Sequence, residues 1–258
     1  MENNNYVAIL IECDNISSLG GSCERDIYNI YNRLISNYVD TSNIYILTNN
    51  QQYFIKNDIK INLFDNHKLN LIKILNKVKY NYHYNHNNNT NIYIHISGHG
   101  YQGPDIKQIE LDGKCEQIVL SSGILTDYDF YELLRTYISI DKKIRISVDT
   151  CHSGTFSNFT YEVICNEISS NSTNNFICKI ATKKTPYFLN AYSISACSDS
   201  QLDSCDIGNI GFGGSLTVHL LENNNFEDFL FGSPLEVKQK LKNILRKLGQ
   251  EPMLLCDA

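Results

Sequence analysis

Two turns of the chain carry residue types that together could cleave an acyl bond: Ser97-Gly98-His99-Gly100 and Asp149-Thr150-Cys151-His152-Ser153-Gly154. A thiol attacks as its thiolate, and with an ordinary pKa of roughly 8.5 it needs a base beside it at neutral pH. An imidazole is such a base, and it can later hand the proton to a leaving amine. Each turn follows a short apolar run, 92–96 and 144–148, which reads as a strand. If the two strands are parallel neighbours, His99 and Cys151 meet beyond their carboxyl ends, where open α/β sheets collect ligands. A cysteine alone is more often a small core residue, and a histidine alone a structural hydrogen-bonder; joint placement after two strands is what singles out this pair. His152 touches Cys151 in sequence, but neighbours on a turn point in different directions. His95 and His99 have a spacing that suits a metal on a helix. On a strand it separates them by about 13 Å, which argues against zinc.

The elements that must hold these turns read as strands alternating with helices, the pattern of a sheet wrapped by helices. Strands are expected over 6–11, 43–47, 92–96, 144–148, 191–196 and 252–255, and helices over 26–38, 69–80, 127–137, 216–222 and 234–248. Ile27, Ile30, Leu34 and Tyr38 fall at helical spacing in the first helix, and Leu71, Ile72, Leu75 and Val78 in the second. Thr126 is placed to cap the third helix. Residues 83–89 read as a loop and the stretch from Gly100 to about 126 as irregular. Residues 157–188, rich in Ser, Asn and Thr, read as a variable connection or surface excursion. One domain over 1–258 is expected, with 1–156 carrying both turns and 189–258 completing the sheet.

The ISGHG and VDTCHSG segments resemble the metacaspases, caspase relatives outside animals. The spacing of 52 residues agrees with caspases, whose histidine lies about 50 residues upstream of the cysteine, although the cysteine pattern of animal caspases is absent. Cys23 and Asp26 stand in the family's G-x-C-x-x-D arrangement. SACSDSQ at 195–201, with GFGGSLTVHLL after it, is similar to the family's S-A/G-C-x-D-x-Q segment and following helix, and the final QEPMLL to its closing strand. The resemblance spans nearly the whole chain and matches the type I catalytic core without a prodomain. It implies a caspase-like three-layer αβα sandwich around a mostly parallel, roughly six-stranded sheet. It also implies a Cys151–His99 dyad with an oxyanion hole from the N–H groups of Gly100 and Cys151, and an S1 pocket of Cys23, Asp26, Ser97 and Asp149. Such an acidic pocket takes Arg or Lys at P1 and rejects Asp. Many members need calcium, which wants oxygen ligands. The matching positions are Glu116, Thr126, Asp127 and Asn158, where only Glu116 and Asp127 are acids; Asp105, Asp112 and Asp129 lie nearby. No cofactor is required for the chemistry itself, and calcium enters only as an activator.

Lys179, Lys183 and Lys184 lie in the polar connection, where a basic residue on an exposed loop is a natural site of self-cleavage; a solvated loop is the plainer reading. The net charge of −6 gives no reason to bind nucleic acid or an anionic membrane, and tyrosines such as Tyr80 and Tyr84 have few basic neighbours with which to build a base-stacking platform. No apolar stretch approaches the roughly 18 residues of a membrane span, and the N-terminus does not read as a signal peptide. Nine cysteines without a CxxC pair suit reduced thiols in the cytoplasm. A monomeric cysteine peptidase is the reading the sequence favours. Its rivals are a regulatory or binding protein that keeps the fold without useful catalysis, and a legumain-like or clostripain-like peptidase, against which the SACSDSQ segment and the Cys23/Asp26 pair argue.

Overall fold

Strands covered on both faces need apolar residues at nearly every position, not an alternation, and Tyr6–Cys13 (β1) is buried along its whole length. The helix Ser22–Ser36 (α1), strand Ile44–Thr48 (β2), helix Gln51–Lys56 (α2), strand Leu63–Asp65 (β3) and helix Lys68–Tyr84 (α3) follow. Asn91–Gly98 (β4) returns to the centre. A separate antiparallel sheet of Gly100–Pro104 (β5), Lys114–Leu120 (β6) and Gly123–Thr126 (β7) leads to helix Asp127–Tyr137 (α4) and strand Lys143–Thr150 (β8). Next come strands Tyr161–Cys165 (β9), Phe176–Ile180 (β10) and Asn190–Ser195 (β11), and the paired strands Cys205–Gly208 (β12) and Gly211–Gly214 (β13). Helices Ser215–Leu220 (α5), Asn225–Phe231 (α6) and Pro234–Leu245 (α7) and strand Met253–Asp257 (β14) close the chain. This computed structural model describes residues 6–13, 19, 21–60, 62–84, 91–165, 176–203, 205–208 and 211–257.

The main sheet runs β10-β9-β14-β11-β8-β4-β1-β2-β3. From β11 to β3 every pairing is parallel, while β14, β9 and β10 pair antiparallel. Side chains alternate between faces along each strand, so β1 sends Ile9 and Ile11 to one core and Ala8 and Leu10 to the other. The first core closes against Leu71, Leu75 and Val78 of α3 and Phe130 and Leu134 of α4. The second closes against Ile27, Ile30 and Leu34 of α1, Leu216 of α5 and Leu241 of α7. The result is a mixed α/β sandwich with helices on both faces of the sheet.

Among the described residues the main sheet has nine strands where roughly six were expected. The three additional ones escape a hydrophobic reading for physical reasons. β3 has three residues and is not fully buried. β9 and β10 lie at the sheet margin, where Ile177 and Ile180 are exposed, inside a stretch whose Ser, Asn and Thr content reads as a connection. Residues 157–188 are therefore more than a connection. The stretch after Gly100 is also ordered, as β5–β7. The first helix begins at Ser22, earlier than its apolar spacing indicates, which takes Cys23 and Asp26 into its first turns. The expected loop 83–89 overlaps the end of α3, and 85–89 lie outside the described residues.

Candidate active site

Parallel pairing fixes the site. β4 and β8 run in register from Ile92↔Ile144 to Gly98↔Thr150. His99 and Cys151 are the residues that follow this last pair, one beyond the end of each strand. Both side chains are half-buried. The His99 N–H donates to the Cys13 carbonyl at the end of β1 (3.3 Å), and its ring lies 6.2 Å from that of Tyr101. Gly100 is required by close approach: a β-carbon there would overlap the Cys151 carbonyl oxygen and crowd Thr150 Oγ1. The backbones after His99 and at Cys151 are thus in direct contact.

The Cys151 sulfur accepts a hydrogen bond from the backbone N–H of Asp203, at 3.2 Å. Burial raises the thiol's pKa above its ordinary value; the Asp203 N–H pulls it back, and the charges of Asp203 and Asp149 push it further up. His152 turns away, with Nδ1 2.7 Å from the Asp199 carbonyl, as its place on the turn suggested.

The four residues matched to a substrate pocket come together near the ends of β4 and β8. Ser97 and Asp149 are paired across β4 and β8, and the Ser97 hydroxyl donates to Asp26 Oδ2 at 2.7 Å. Asp26 also accepts the Gly214 N–H (3.1 and 3.0 Å to its two oxygens). Asp149 accepts the Thr217 N–H (2.7 Å), the Thr217 hydroxyl (2.5 Å) and the Leu216 N–H (3.3 Å). Both carboxylates are almost fully buried, at 1% and 2% exposure. Burial, and then the charge of Asp149, holds the Asp26 carboxyl well above the usual range. Burial raises the Cys23 thiol, and the Asp26 charge adds to it. Behind them His95 is kept neutral, its pKa lowered to about 3 by burial, with Nδ1 2.8 Å from Ser147 Oγ.

No family model matches the chain, and no curated protein matches it. Among solved structures it is similar to that of protein GSU0716 from Geobacter sulfurreducens, with a TM-score of 0.53 and 17% identity, over 93% of this chain and 88% of that one. The fold is shared. At that identity the likeness speaks for the α/β architecture and for nothing finer.

On the far side of β6, Glu116 and Asp127 belong to a wider group of acids. Glu116 accepts from Gln102 Nε2 (2.9 Å) and the Thr155 hydroxyl (2.6 Å). Asp127 accepts from the Cys115 thiol (3.1 Å), the Glu116 N–H (3.3 Å) and the Tyr128 N–H. Burial, together with the charges of Asp127, Glu116 and Asp199, pushes Glu110 up to about 9. Burial and the Asp199 charge push Glu116 up to about 8, and burial raises Asp127 and takes Asp199 to about 6. Glu110 Oε1 and both amide atoms of Asn158 are buried without a hydrogen-bond partner. Such a donor set has the chemistry of a hard-cation site. Among the described residues no three His, Cys, Asp or Glu side chains are already grouped to hold a metal ion, so Glu116 and Asp127 would need further oxygen donors, such as the unpartnered Asn158 amide, to complete a site. Of the matched positions, Thr126 caps α4 through Asp129 N instead.

Lys179 lies on β10 opposite Glu162. Lys183 is exposed, and its N–H bonds the Ile109 carbonyl. Lys184 is half-buried, with Nζ 4.1 Å from the Tyr131 ring centroid and 4.9 Å from that of Tyr128; burial lowers its pKa to about 8. The sequence reading missed Asp203, Gly214 and Thr217. The glycine-rich GFGG ahead of a helix was the available signal for the last two, since N–H groups at a helix start favour a carboxylate. Among the described residues no helix is long and apolar enough to cross a membrane.

Proposed function

We propose that this protein is a metacaspase-like cysteine endopeptidase that cleaves after Arg or Lys. The reading rests above all on the shared register of β4 and β8, whose last pair, Gly98 and Thr150, is followed directly by His99 and Cys151, with Gly100 packed against the Cys151 carbonyl. Cys151 Sγ attacks the scissile carbonyl carbon as His99 takes the thiol proton. Because burial disfavours the free thiolate, His99 acts as base during the attack and not as partner in a standing ion pair. The N–H groups of Gly100 and Cys151 receive the oxyanion. His99 then protonates the departing amine, and water, activated by His99, hydrolyses the thioester. Asp26 and Asp149 meet the basic side chain of the substrate, a pairing strengthened by their burial. Calcium is an activator in this reading: Glu116 and Asp127 would contribute oxygen ligands, and the ion would offset the repulsion among the buried acids. Substrates are peptides presented to a monomer in the cytoplasm. Self-cleavage at Lys179, Lys183 or Lys184 would first require local opening of their contacts.

The test is turnover of a fluorogenic peptide with Arg at P1, with and without calcium. Cys151→Ala should lower turnover by at least about 1,000-fold and leave the melting temperature close to that of the parent. Equal turnover by the variant would remove Cys151 from the mechanism. The elevated thiol favours a second reading, a regulatory protein on the same fold with little catalysis. A thiol-reactive Arg-based inhibitor separates the two: covalent labelling of Cys151 supports the peptidase, and no labelling supports the regulator.

A further inference from the structure

Asp203 lies in the segment that follows β11, outside every motif that points to the dyad. Its backbone N–H reaches the Cys151 sulfur at 3.2 Å. Its side chain runs the other way, into a buried polar knot. Asp203 Oδ1 is 3.1 Å from the Ser215 hydroxyl and accepts from Gln250 Nε2. Ser215 Oγ is also 2.6 Å from Gln250 Oε1. Ser215 and Gln250 are buried at 0% and 2% exposure, so the knot has little water to substitute for a lost member, and an unmade bond there is costly. The preceding turn is pinned too: the Gln201 carbonyl accepts the His152 N–H at 3.0 Å, and Gln201 Oε1 accepts the Ser198 and Glu251 N–H groups.

Ser215 opens α5, and the next two N–H groups of that helix bind Asp149. One short path, Asp149–(Leu216, Thr217)–Ser215–Asp203, therefore joins the acidic pocket to the nucleophile.

We propose that Asp203 is a positioning residue for the nucleophile: its carboxylate, tied to Ser215 and Gln250, holds its own N–H against the Cys151 sulfur and links the seating of the substrate's side chain to the readiness of the thiol. This inference rests on the reading of Cys151 as nucleophile. Three titratable groups act on that sulfur, Asp149 on β8 and Cys197 and Asp203 in the segment after β11, and His99 follows the neighbouring strand β4. The Asp203 N–H stabilises the thiolate, whereas the Asp203 charge opposes it. The two contributions can be separated by substitution. Asp203→Asn removes the charge and keeps an oxygen to accept from Ser215 and Gln250; Asp203→Ala removes both. Ser215→Ala loosens the anchor without touching the charge.

The experiment is the pH dependence of iodoacetamide alkylation of the full chain, with modification assigned to Cys151 by peptide mass, alongside kcat and KM on an Arg-P1 peptide. Asp203→Asn should alkylate at least as fast as the parent at neutral pH. Asp203→Ala should be slower than Asp203→Asn by roughly five-fold, the equivalent of one hydrogen bond of about 1 kcal/mol. Its midpoint should move to higher pH, and its kcat should fall more than its KM changes. Ser215→Ala should move in the same direction relative to the parent, and decides the matter if Asp203→Ala does not fold. Equal midpoints for the Ala and Asn variants, or an unshifted Ser215→Ala, overturn the inference. If the midpoints shift as expected but the parent hydrolyses no Arg peptide, the peptidase reading fails and the positioning role stands.

Discussion

Replacing the two pocket acids by Asn, singly and together, tests the substrate assignment through the coupling between them. Asp26 and Asp149 are nearly fully exposure-free, and Asp149's charge helps hold the Asp26 carboxyl up. Removing the Asp149 charge lets Asp26 ionise more readily, so one carboxylate still meets the substrate's cation. The side-chain amide keeps the size of the acid, and an oxygen to accept from Thr217 or Gly214, so packing changes little. A charge-assisted hydrogen bond is worth about 1.5–3 kcal/mol. Partial compensation by the remaining acid cuts the loss to roughly 1.4 kcal/mol, or ten-fold in kcat/KM for an Arg-P1 peptide. With both acids gone no compensation remains, and the loss should reach roughly 4 kcal/mol, near 1,000-fold. The double change should therefore cost more than the sum of the single ones, a signature of neighbouring groups. The assay is kcat/KM on matched peptides with Arg, Lys, Gln or Asp at P1 for the four proteins. A double variant that still prefers Arg, or strictly additive effects, would refute the argument.

Three further outcomes are expected. Gly214→Ala drives a β-carbon into the Asp149 carboxylate, and should destabilise the protein by about 1–3 kcal/mol, read by urea unfolding, with kcat/KM for basic peptides reduced; an unchanged midpoint would mean the segment is free to retreat. Glu110, Glu116 and Asp199 have folded pKa values raised to about 9, 8 and 6, so the folded chain keeps protons that the unfolded chain has released. Their favourable contribution is complete below the ordinary carboxylate pKa of roughly 4.3 and is lost as pH rises towards about 9. Melting should accordingly occur at lower temperature near pH 8.5 than near pH 5.5, and Glu110→Gln should flatten that slope; a steeper one would contradict the cluster's electrostatics. Calcium should raise the melting temperature at the alkaline end and have little effect at the acid end, where protons already neutralise the acids; no effect at either pH would count against its role as activator.

The central sheet was legible because its strands declare themselves. Residues 92–96 (IYIHI) and 144–148 (IRISV) repeat β-branched apolar residues at every second position, the period of a strand, and β4 and β8 are indeed central neighbours. The marginal strands were not legible, since YEVIC and FICKI lie inside the Ser-, Asn- and Thr-rich stretch 157–188, whose composition reads as a connection. His99, Cys151, Ser97 and Asp149 could be found together because they sit at the ends of those central strands. Asp26 joins them from the first turns of α1, which starts at Ser22, four residues before the helix expected over 26–38. Asp203 left no trace in the sequence pattern: what reaches the sulfur is its amide, which every residue but proline has, and its partners Ser215 and Gln250 are 12 and 47 positions away. Glu110 stands in no motif, and Asp199 counted only as part of SACSDSQ; their burial beside Glu116 comes from folding.

The strand order carries a consequence for a chain cut once between Lys183 and Lys184. The first piece would own β8 on one side and β9 with β10 on the other, while the second piece would own β11 and β14, which lie between them. The shorter fragment is thus clasped from both sides, like a drawer between two runners. Such a nicked protein would elute from a sizing column as a single species and separate into its halves only in denaturant.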